Sequence, residues 1–377
     1  MPCLNEAKTV ETCIRKAQKS ILENHLSAEI IIADNGSSDN SIEVAKRCGA
    51  RVVPIQEKGY GAALIGGFEA AQGEFIIMGD ADDSYDFSNL LPFVEKLREG
   101  YDLVMGCRLP EGGGKIMPHA MPWLHRWIGN PILSFIGRLF FHSPIHDFHC
   151  GMRGFKKSAF EKMELKTTGM ELASEMVVKA TLKKMRVTNI PITLYKDGRD
   201  RPPHLRSFRD GWRHLRFMLL FSPRWLFFIP GMVFFLVGSL ASSLLMSGPI
   251  TMGHVEFNTN TLLMFSLFML AGFQLVSFAM FTKIFAISEG LLPPDPRLEK
   301  VFKLITLETG LLMGVTFCGG GFVLLVSGVI FWAQNQFGFI SYPASLRLII
   351  PGVVSVTLGI QIIFSSFFMS ILGLKRR

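Results

Sequence analysis

The apolar positions change their rhythm along this chain. In its first half they come as short runs that end in polar clusters. Residues 29–33 (Glu29-Ile30-Ile31-Ile32-Ala33) run into Asp34-Asn35-Gly36-Ser37-Ser38-Asp39, and residues 74–78 (Glu74-Phe75-Ile76-Ile77-Met78) run into Gly79-Asp80-Ala81-Asp82-Asp83. Short apolar runs bounded by turn formers read as buried strands, whereas 39–49 and 60–72 have the Ala-rich, apolar spacing of helices. This β-α-β alternation predicts a parallel sheet with its ligand site at the carboxyl ends of the strands, so both acidic loops are expected on one rim.

From residue 225 the rhythm is replaced by length. Runs at 225–247, 261–287, 309–333 and 348–374 are uncharged or nearly so, with Lys283 near the end of one. Each reaches the roughly 20 residues a helix needs to cross a bilayer. Their Leu, Phe, Val and Gly fall on every face, unlike the one-sided pattern of a core helix. Four membrane helices are predicted. Between the two regimes, Arg199, Arg201, Arg206, Arg209, Arg213, Arg216 and Arg224 face only Asp200 and Asp210 and interleave with Phe208, Trp212, Phe217 and Trp225. That mixture suits an interfacial helix on anionic lipid. Trp123–Phe141, with Arg126 and Arg138 among apolar residues, reads as a second helix lying on the membrane. The predicted division is 1–198 α/β, 199–224 a basic loop and juxtamembrane helix, and 225–377 an all-α transmembrane domain.

Composition agrees with that division. With 377 residues, 49% of them hydrophobic, the chain exceeds one domain and is too apolar for an ordinary cytosolic enzyme. Nucleic acid is not an expected partner, because the basic segment abuts a membrane span. The connection at 248–260 has no Lys or Arg, whereas 283–303 carries Lys283, Arg297, Lys300 and Lys303 and the chain ends Lys375-Arg376-Arg377. The positive-inside rule then puts the N-terminal domain, the middle loop and the C-terminus on the cytoplasmic side of the cell membrane. Six cysteines without a Cys-x-x-Cys pair are expected as thiols. Asp147, His149 and Cys150 lack the second ligand cluster that a tetrahedral zinc site needs.

The acidic loops suggest the chemistry. Asp80 and Asp82, two apart at a strand end, converge on one small volume, where a hard cation such as Mg2+ or Mn2+ relieves their repulsion and can also bind phosphate. Lys58-Gly59-Tyr60-Gly61-Ala62-Ala63 places a cation and free backbone N–H groups at a helix start, another phosphate-receiving feature.

Three ordered stretches, Pro2-Cys3-Leu4-Asn5-Glu6, Asp34-Asn35-Gly36-Ser37-Ser38-Asp39-Asn40-Ser41 and Asp80-Ala81-Asp82, resemble the nucleotide-sugar-binding half of inverting family 2 glycosyltransferases with the GT-A fold. More narrowly, over about residues 1 to 215 the chain is similar to the polyprenyl-phosphate glycosyltransferases, which include dolichyl-phosphate mannose and glucose synthases. The resemblance implies that Asn5, Glu6 and Asp34 hold the nucleoside and that Asp80 and Asp82 form the metal-diphosphate pair; Lys58, as a phosphate-receiving cation, joins the expected nucleotide-sugar residues. Asn5 and Asp34 could instead cap helices. Asp83 departs from the mannose synthases and either supports the ion from behind or is solvated. In the family an apolar strand precedes the first motif, yet only Met1 stands before Pro2; a shortened chain start is expected.

The resemblance also implies an acceptor site. Arg108 and Arg126 match the acceptor-phosphate arginines, and Asn130 stands where mannose synthases tend to have Ser; Arg126 could instead snorkel at the interface. Arg201 and Arg206 fall where relatives carry a basic loop over the donor diphosphate. Asp147 to Arg153 matches a segment beside the sugar pocket. Glu171 and Glu175, one helical turn apart, lie where relatives acting on alcohols place a general base. A lipid phosphate, already anionic, needs no base, so positioning and charge neutralisation carry the reaction instead. The expected activity is transfer of a hexose from a nucleotide diphosphate sugar to polyprenyl phosphate. Two rivals are weaker. A processive polysaccharide synthase should carry Gln-x-x-Arg-Trp, and Arg224-Trp225 lacks the Gln; a non-catalytic lipid- or nucleotide-binding protein has no use for intact Asp80 and Asp82. Sugar, nucleobase, polyprenol length and oligomeric state, homo-oligomer included, are left open.

Overall fold

The computed structural model describes residues 1–199, 207–296, 306–339 and 342–373. The chain divides into two compact units, the first ending at Met218 and the second beginning at Leu219. In the first, β1 (Pro2–Cys3), β2 (Ile31–Asp34) and β3 (Arg51–Pro54) form a parallel sheet in that order. Its crossovers are α1 (Val10–Glu23) and α2 (Ser41–Arg47), and α3 (Tyr60–Ala70) follows β3 toward the second sheet. Val10, Cys13, Ile14 and Ala17 make one buried stripe of α1, the spacing a helix needs to cover a sheet.

A second sheet has the order β4-β7-β5-β8, built from β4 (Phe75–Met78), β5 (Leu103–Cys107), β7 (Arg153–Lys156) and β8 (Val187–Pro191). Here the structure corrects the all-parallel expectation: β7 runs antiparallel to both β4 and β5. Arg153-Gly154-Phe155-Lys156 contains no apolar run, so its pattern does not announce a strand. Gly154 sits under Phe93 and Leu97 of α4 (Leu91–Arg98), where an added Cβ would stand 3.3 Å from each. The sheets holding β2 and β4 are separate, and an apolar cavity of about 390 Å³ is lined by Ile31, Ala33, Phe68, Ile76 and Met78 among others.

The remaining elements of this unit are β6 (Lys115–Ile116) paired with β9 (Thr193–Leu194), a π-helical turn at His125–Gly129 leading into α5 (Asn130–Phe141), α6 (Lys157–Met163), α7 (Leu172–Leu182) and α8 (Ser207–Leu220). Helix α8 packs into the α/β unit through Asp210, His214, Phe217 and Met218, so much of the basic segment is part of that body.

The second unit consists of α9 (Ile229–Met246), a hairpin of β10 (Ile250–Met252) and β11 (Val255–Phe257), and the helices α10 (Thr259–Ser288), α11 (Leu307–Gln334) and α12 (Tyr342–Gly373). Four stretches, Arg224–Met246, Thr259–Ser288, Leu307–Gln334 and Pro343–Gly373, are long and apolar enough to span a bilayer. Glycines are not spread as evenly as the sequence suggests. A Cβ on Gly272 would lie 2.6 Å from the Gly231 carbonyl oxygen, one on Gly314 2.8 Å from that of Gly359, and one on Gly321 2.7 Å from that of Gly352. Helix pairs α9–α10 and α11–α12 therefore meet backbone to backbone, as small residues permit in lipid.

Candidate active site: an acidic rim closed by an arginine

The loops after β1, β2 and β4 are tied to one another by side chains. Asn5 is in the left-handed region at φ 59°, a conformation Asn tolerates. Its Oδ1 accepts from Ser38 N at 2.7 Å, and its own N–H donates to Ser37 Oγ. Asp34 accepts from Gly36 N and Ser37 N, so its carboxylate shapes the β2 loop. Neither residue caps a helix. Asn35, which the motif reading passed over, joins the next loop: it donates to the Glu57 carbonyl at 2.7 Å and accepts from Gly59 N at 2.8 Å. Lys58 Nζ donates to the Asn35 carbonyl at 2.7 Å, which holds its ammonium over the β2 turn.

The β4 loop carries the paired carboxylates. Asp82 Oδ1 accepts from Ser84 N and Ser84 Oγ, while Asp80 Oδ1 accepts from Tyr60 OH at 2.9 Å. Burial first, and the neighbouring Asp82 charge second, push the Asp80 pKa up to about 6. An acid pair under this strain is short of positive charge, which is what a divalent cation supplies. Among the described residues no group of three or more His, Cys, Asp or Glu side chains could hold a metal by itself. Two carboxylates completed by substrate phosphates are nevertheless a normal Mg2+ arrangement, so Asp80 and Asp82 fit such an ion in the presence of a diphosphate. Asp83 turns away, at φ 63°, to pair with Lys16 of α1 at 2.7 Å.

Glu6 is buried and ends in an ion pair that the sequence did not announce. Arg199 Nη2 lies 2.6 Å from Glu6 Oε1, and Arg199 Nη1 lies 3.1 Å from Asp82 Oδ2. One guanidinium thus joins the β1 and β4 loops. Arg201 and Arg206, expected over the diphosphate, lie outside the described residues.

On the proposed acceptor side, Arg108 is buried and its fork is engaged by Asp147, with Nε–Oδ2 2.7 Å and Nη2–Oδ1 2.9 Å. A free phosphate clamp is therefore not what Arg108 presents; its remaining nitrogen, Nη1, is 3.4 Å from Tyr85 OH. Burial, then the Arg108 charge, hold the His125 pKa below its ordinary value, which places the start of the π-helical turn within electrostatic reach of that guanidinium. Arg126, next along, lies 5.3 Å from the Trp127 ring, and among the described residues no carboxylate pairs with it. Asn130 donates to Met121 Sδ. The outer face of this helical stretch is apolar and exposed at Trp127, Ile132 and Phe135.

Glu175 is committed to structure. It accepts from Lys166 N, Thr167 N and Thr167 Oγ1 and pairs with Lys179 at 2.7 Å. Burial opposes ionisation, but Lys179 and Thr167 hold its pKa below the usual carboxylate value. Glu171, at the start of α7, folds back over Gly169. Behind them, Ser174 Oγ lies 2.9 Å from His214 Nδ1 and 3.2 Å from His149 Nε2, and burial keeps both imidazoles neutral at pH 7.

Known proteins align with this arrangement. Residues 1–164 match the model of glycosyl transferase family 2, and residues 280–373 match that of the glycosyltransferase family 2 C-terminal transmembrane region. The low-salt glycan biosynthesis hexosyltransferase Agl6 of Haloferax volcanii is 36% identical over 376 residues, covering 99% of this chain and 88% of that protein. A dolichyl-phosphate hexose transferase of the same organism is 28% identical over 165 residues, covering 44% of this chain and 69% of its own. Among solved structures, glucosyl-3-phosphoglycerate synthase from Mycobacterium tuberculosis, in complex with Mn2+, UDP and glucosyl-3-phosphoglycerate, superposes with a TM-score of 0.42 at 19% identity, covering 53% of this chain and 71% of that one.

Proposed function

The chain belongs to glycosyltransferase family 2, and on that premise we propose that it transfers a hexose from a nucleotide diphosphate sugar to polyprenyl phosphate, with inversion, at the cytoplasmic face of the membrane. The catalytic unit is an α/β GT-A domain and the protein is integral to the membrane through its apolar helices. Asn5, Asp34 and Lys58 would hold the nucleoside end of the donor. Asp80 and Asp82 would hold Mg2+ or Mn2+, which supplies neutralising charge for the departing diphosphate.

The observation that carries the acceptor is Arg126. It is a cation with no carboxylate partner among the described residues, it follows His125, which feels the charge of the buried Arg108, and it stands on a stretch whose outer face is apolar. A lipid with an anionic head and an apolar tail matches both features at once. Glu175 is too fully bonded to take a proton, which suits an acceptor that arrives ionised. The relatives named a hexosyltransferase of glycan biosynthesis and a dolichyl-phosphate hexose transferase support the same substrate classes.

Full-length protein in detergent, given a panel of nucleotide sugars with polyprenyl phosphate and Mn2+, is expected to form a lipid monophosphate sugar. Arg126→Lys should weaken apparent acceptor affinity more than an Arg138→Lys control, because lysine keeps the charge and loses the fork. Sugar transfer that is indifferent to the lipid phosphate, or equal behaviour of the two lysine variants, would remove polyprenyl phosphate or Arg126 respectively from this reading.

A further inference from the structure

Arg199 stands on the oxygen that a metal ion at the acid pair would use. Asp82 has two carboxylate oxygens, and Oδ1 is filled by Ser84 N at 3.0 Å and Ser84 Oγ at 2.6 Å. Oδ2 is left for a cation, and the group 3.1 Å away is Arg199 Nη1. Elsewhere the guanidinium is anchored: Nε lies 2.9 and 3.1 Å from the two Glu6 oxygens, and Nη2 lies 2.6 Å from Oε1. The backbone beside it is built into the same place. Gly198 N donates to the Asp82 carbonyl at 2.9 Å, and a Cβ on Gly198 would stand 2.9 Å from Thr9 Cγ2, so the chain here runs against the β1 loop. Thr9 Oγ1 in turn donates to the Ala81 carbonyl at 2.7 Å.

We propose that Arg199 is the resident counter-ion of the donor site, a positioning residue that holds Glu6 and Asp82 together in the donor-free protein and is exchanged for the divalent cation when the nucleotide sugar enters. This rests on the reading of Asp80 and Asp82 as the cation pair. Two positive groups cannot share Oδ2 without repulsion, and three carboxylates at this rim without any cation would repel one another. Arginine therefore keeps the loops in their working positions while lowering the affinity of the empty site for a bare ion. Metal and diphosphate arriving together overcome that competition, because the diphosphate contributes both oxygen ligands and an anion for the released guanidinium. The substrate thus selects the ion.

The test is Mn2+ binding without nucleotide, read from the free-ion electron paramagnetic resonance signal of the full-length protein in detergent. Arg199→Gln should bind Mn2+ about tenfold tighter or more than wild type, as removal of one unit of competing charge near a partly buried site is on the order of 1.4 kcal/mol or larger. Arg199→Lys should stay near wild type. No gain in Arg199→Gln overturns the proposal. A gain that persists when Asp82→Asn is added would show the ion binding elsewhere and overturn the cation pair itself, so the two failures are distinguishable. Wild-type protein provides an independent arm that needs no folded variant: phenylglyoxal modification of Arg199, located by mass spectrometry, should rise several-fold when Mn2+ alone is added to saturation, because no diphosphate is then present to cover the released guanidinium. Unchanged labelling overturns the exchange.

Discussion

The α/β unit and the membrane unit obey opposite rules about what lies inside. In the first, the largest fully buried side chains include Phe93, Phe148, Phe155 and Arg153, and buried charges are bonded: Arg108 is paired with Asp147, and Arg153 donates to the carbonyls of Phe148, Cys150 and Ala173. In the second, Leu236, Leu240, Leu267, Phe322 and Phe364 point outward, while Gly231, Gly272, Gly314 and Gly321 make the contacts between helices. Water drives large apolar groups inward and lipid does not, so close backbone packing is what remains to hold membrane helices together. Helix α8 marks the boundary. It exposes Phe208 and Trp212 and buries Asp210 and His214, the reverse of a helix with a polar outer face.

Charge is the sharpest way to break the first rule. Asp82→Asn removes the carboxylate that both Arg199 and a divalent ion would use, and turnover should fall by a factor of about a hundred or more while the fold survives. Product formation with Mn2+ measures this, and full activity would exclude Asp82 from the metal site. Arg108→Met leaves Asp147 buried and unpaired. That should cost on the order of 3–5 kcal/mol, seen as a large drop in the thermal midpoint of the α/β unit. A loss under about 1 kcal/mol would mean that the pair is easily replaced.

Two adjacent glycines sharpen the second rule. A Cβ on Gly321 would meet the backbone of α12, whereas on Gly320 it would find nothing within 4 Å. Gly321→Val should therefore destabilise the membrane unit by about 1–3 kcal/mol and Gly320→Val by less than about 0.5 kcal/mol, both read from denaturation in detergent. Equal effects would show that helix propensity, not contact, decides.

The smallest effect concerns the strained acid. Because the folded protein raises the Asp80 pKa from its ordinary value of 3.8 to about 6, it binds more protons than the unfolded chain between those limits. Metal-free stability should then fall as pH rises from 4 to 6 and stay low above that window. Asp80→Asn, which can still accept from Tyr60, should flatten this slope and be more stable than wild type at pH 7 in EDTA while losing activity. A variant no more stable than wild type at pH 7 would remove the strain from Asp80.

Local patterns were legible where chemistry repeats over a few residues. The strands at 31–34 and 75–78, the helices at 41–47 and 60–70 between them and the four long apolar spans all appear where the apolar runs predict them. The carboxylates Asp80 and Asp82 could be found for the same reason, since their spacing along one strand end sets where they point. β7 could not, because Gly154 and Phe155 are strand residues only by virtue of the strands on either side.

The acidic rim shows where sequence stopped. Which residue types stand at the strand ends was determined by the chain alone, because short polar loops follow buried strands; the β1 and β2 loops then share a sheet edge, and the β4 loop joins them through contacts in space. What each side chain does was decided by tertiary neighbours. Arg108 reads as a phosphate clamp until Asp147, 39 residues away, takes its fork, and the role of Glu175 stays open in sequence until Lys179 and the 166–167 backbone fill its oxygens. Arg199 is one arginine among seven between 199 and 224 until the fold sets it against Glu6, 193 residues earlier, and against the free oxygen of Asp82. Periodicity reports burial along an element, but an ion pair depends on distance in space, and over such separations only the folded chain sets that distance.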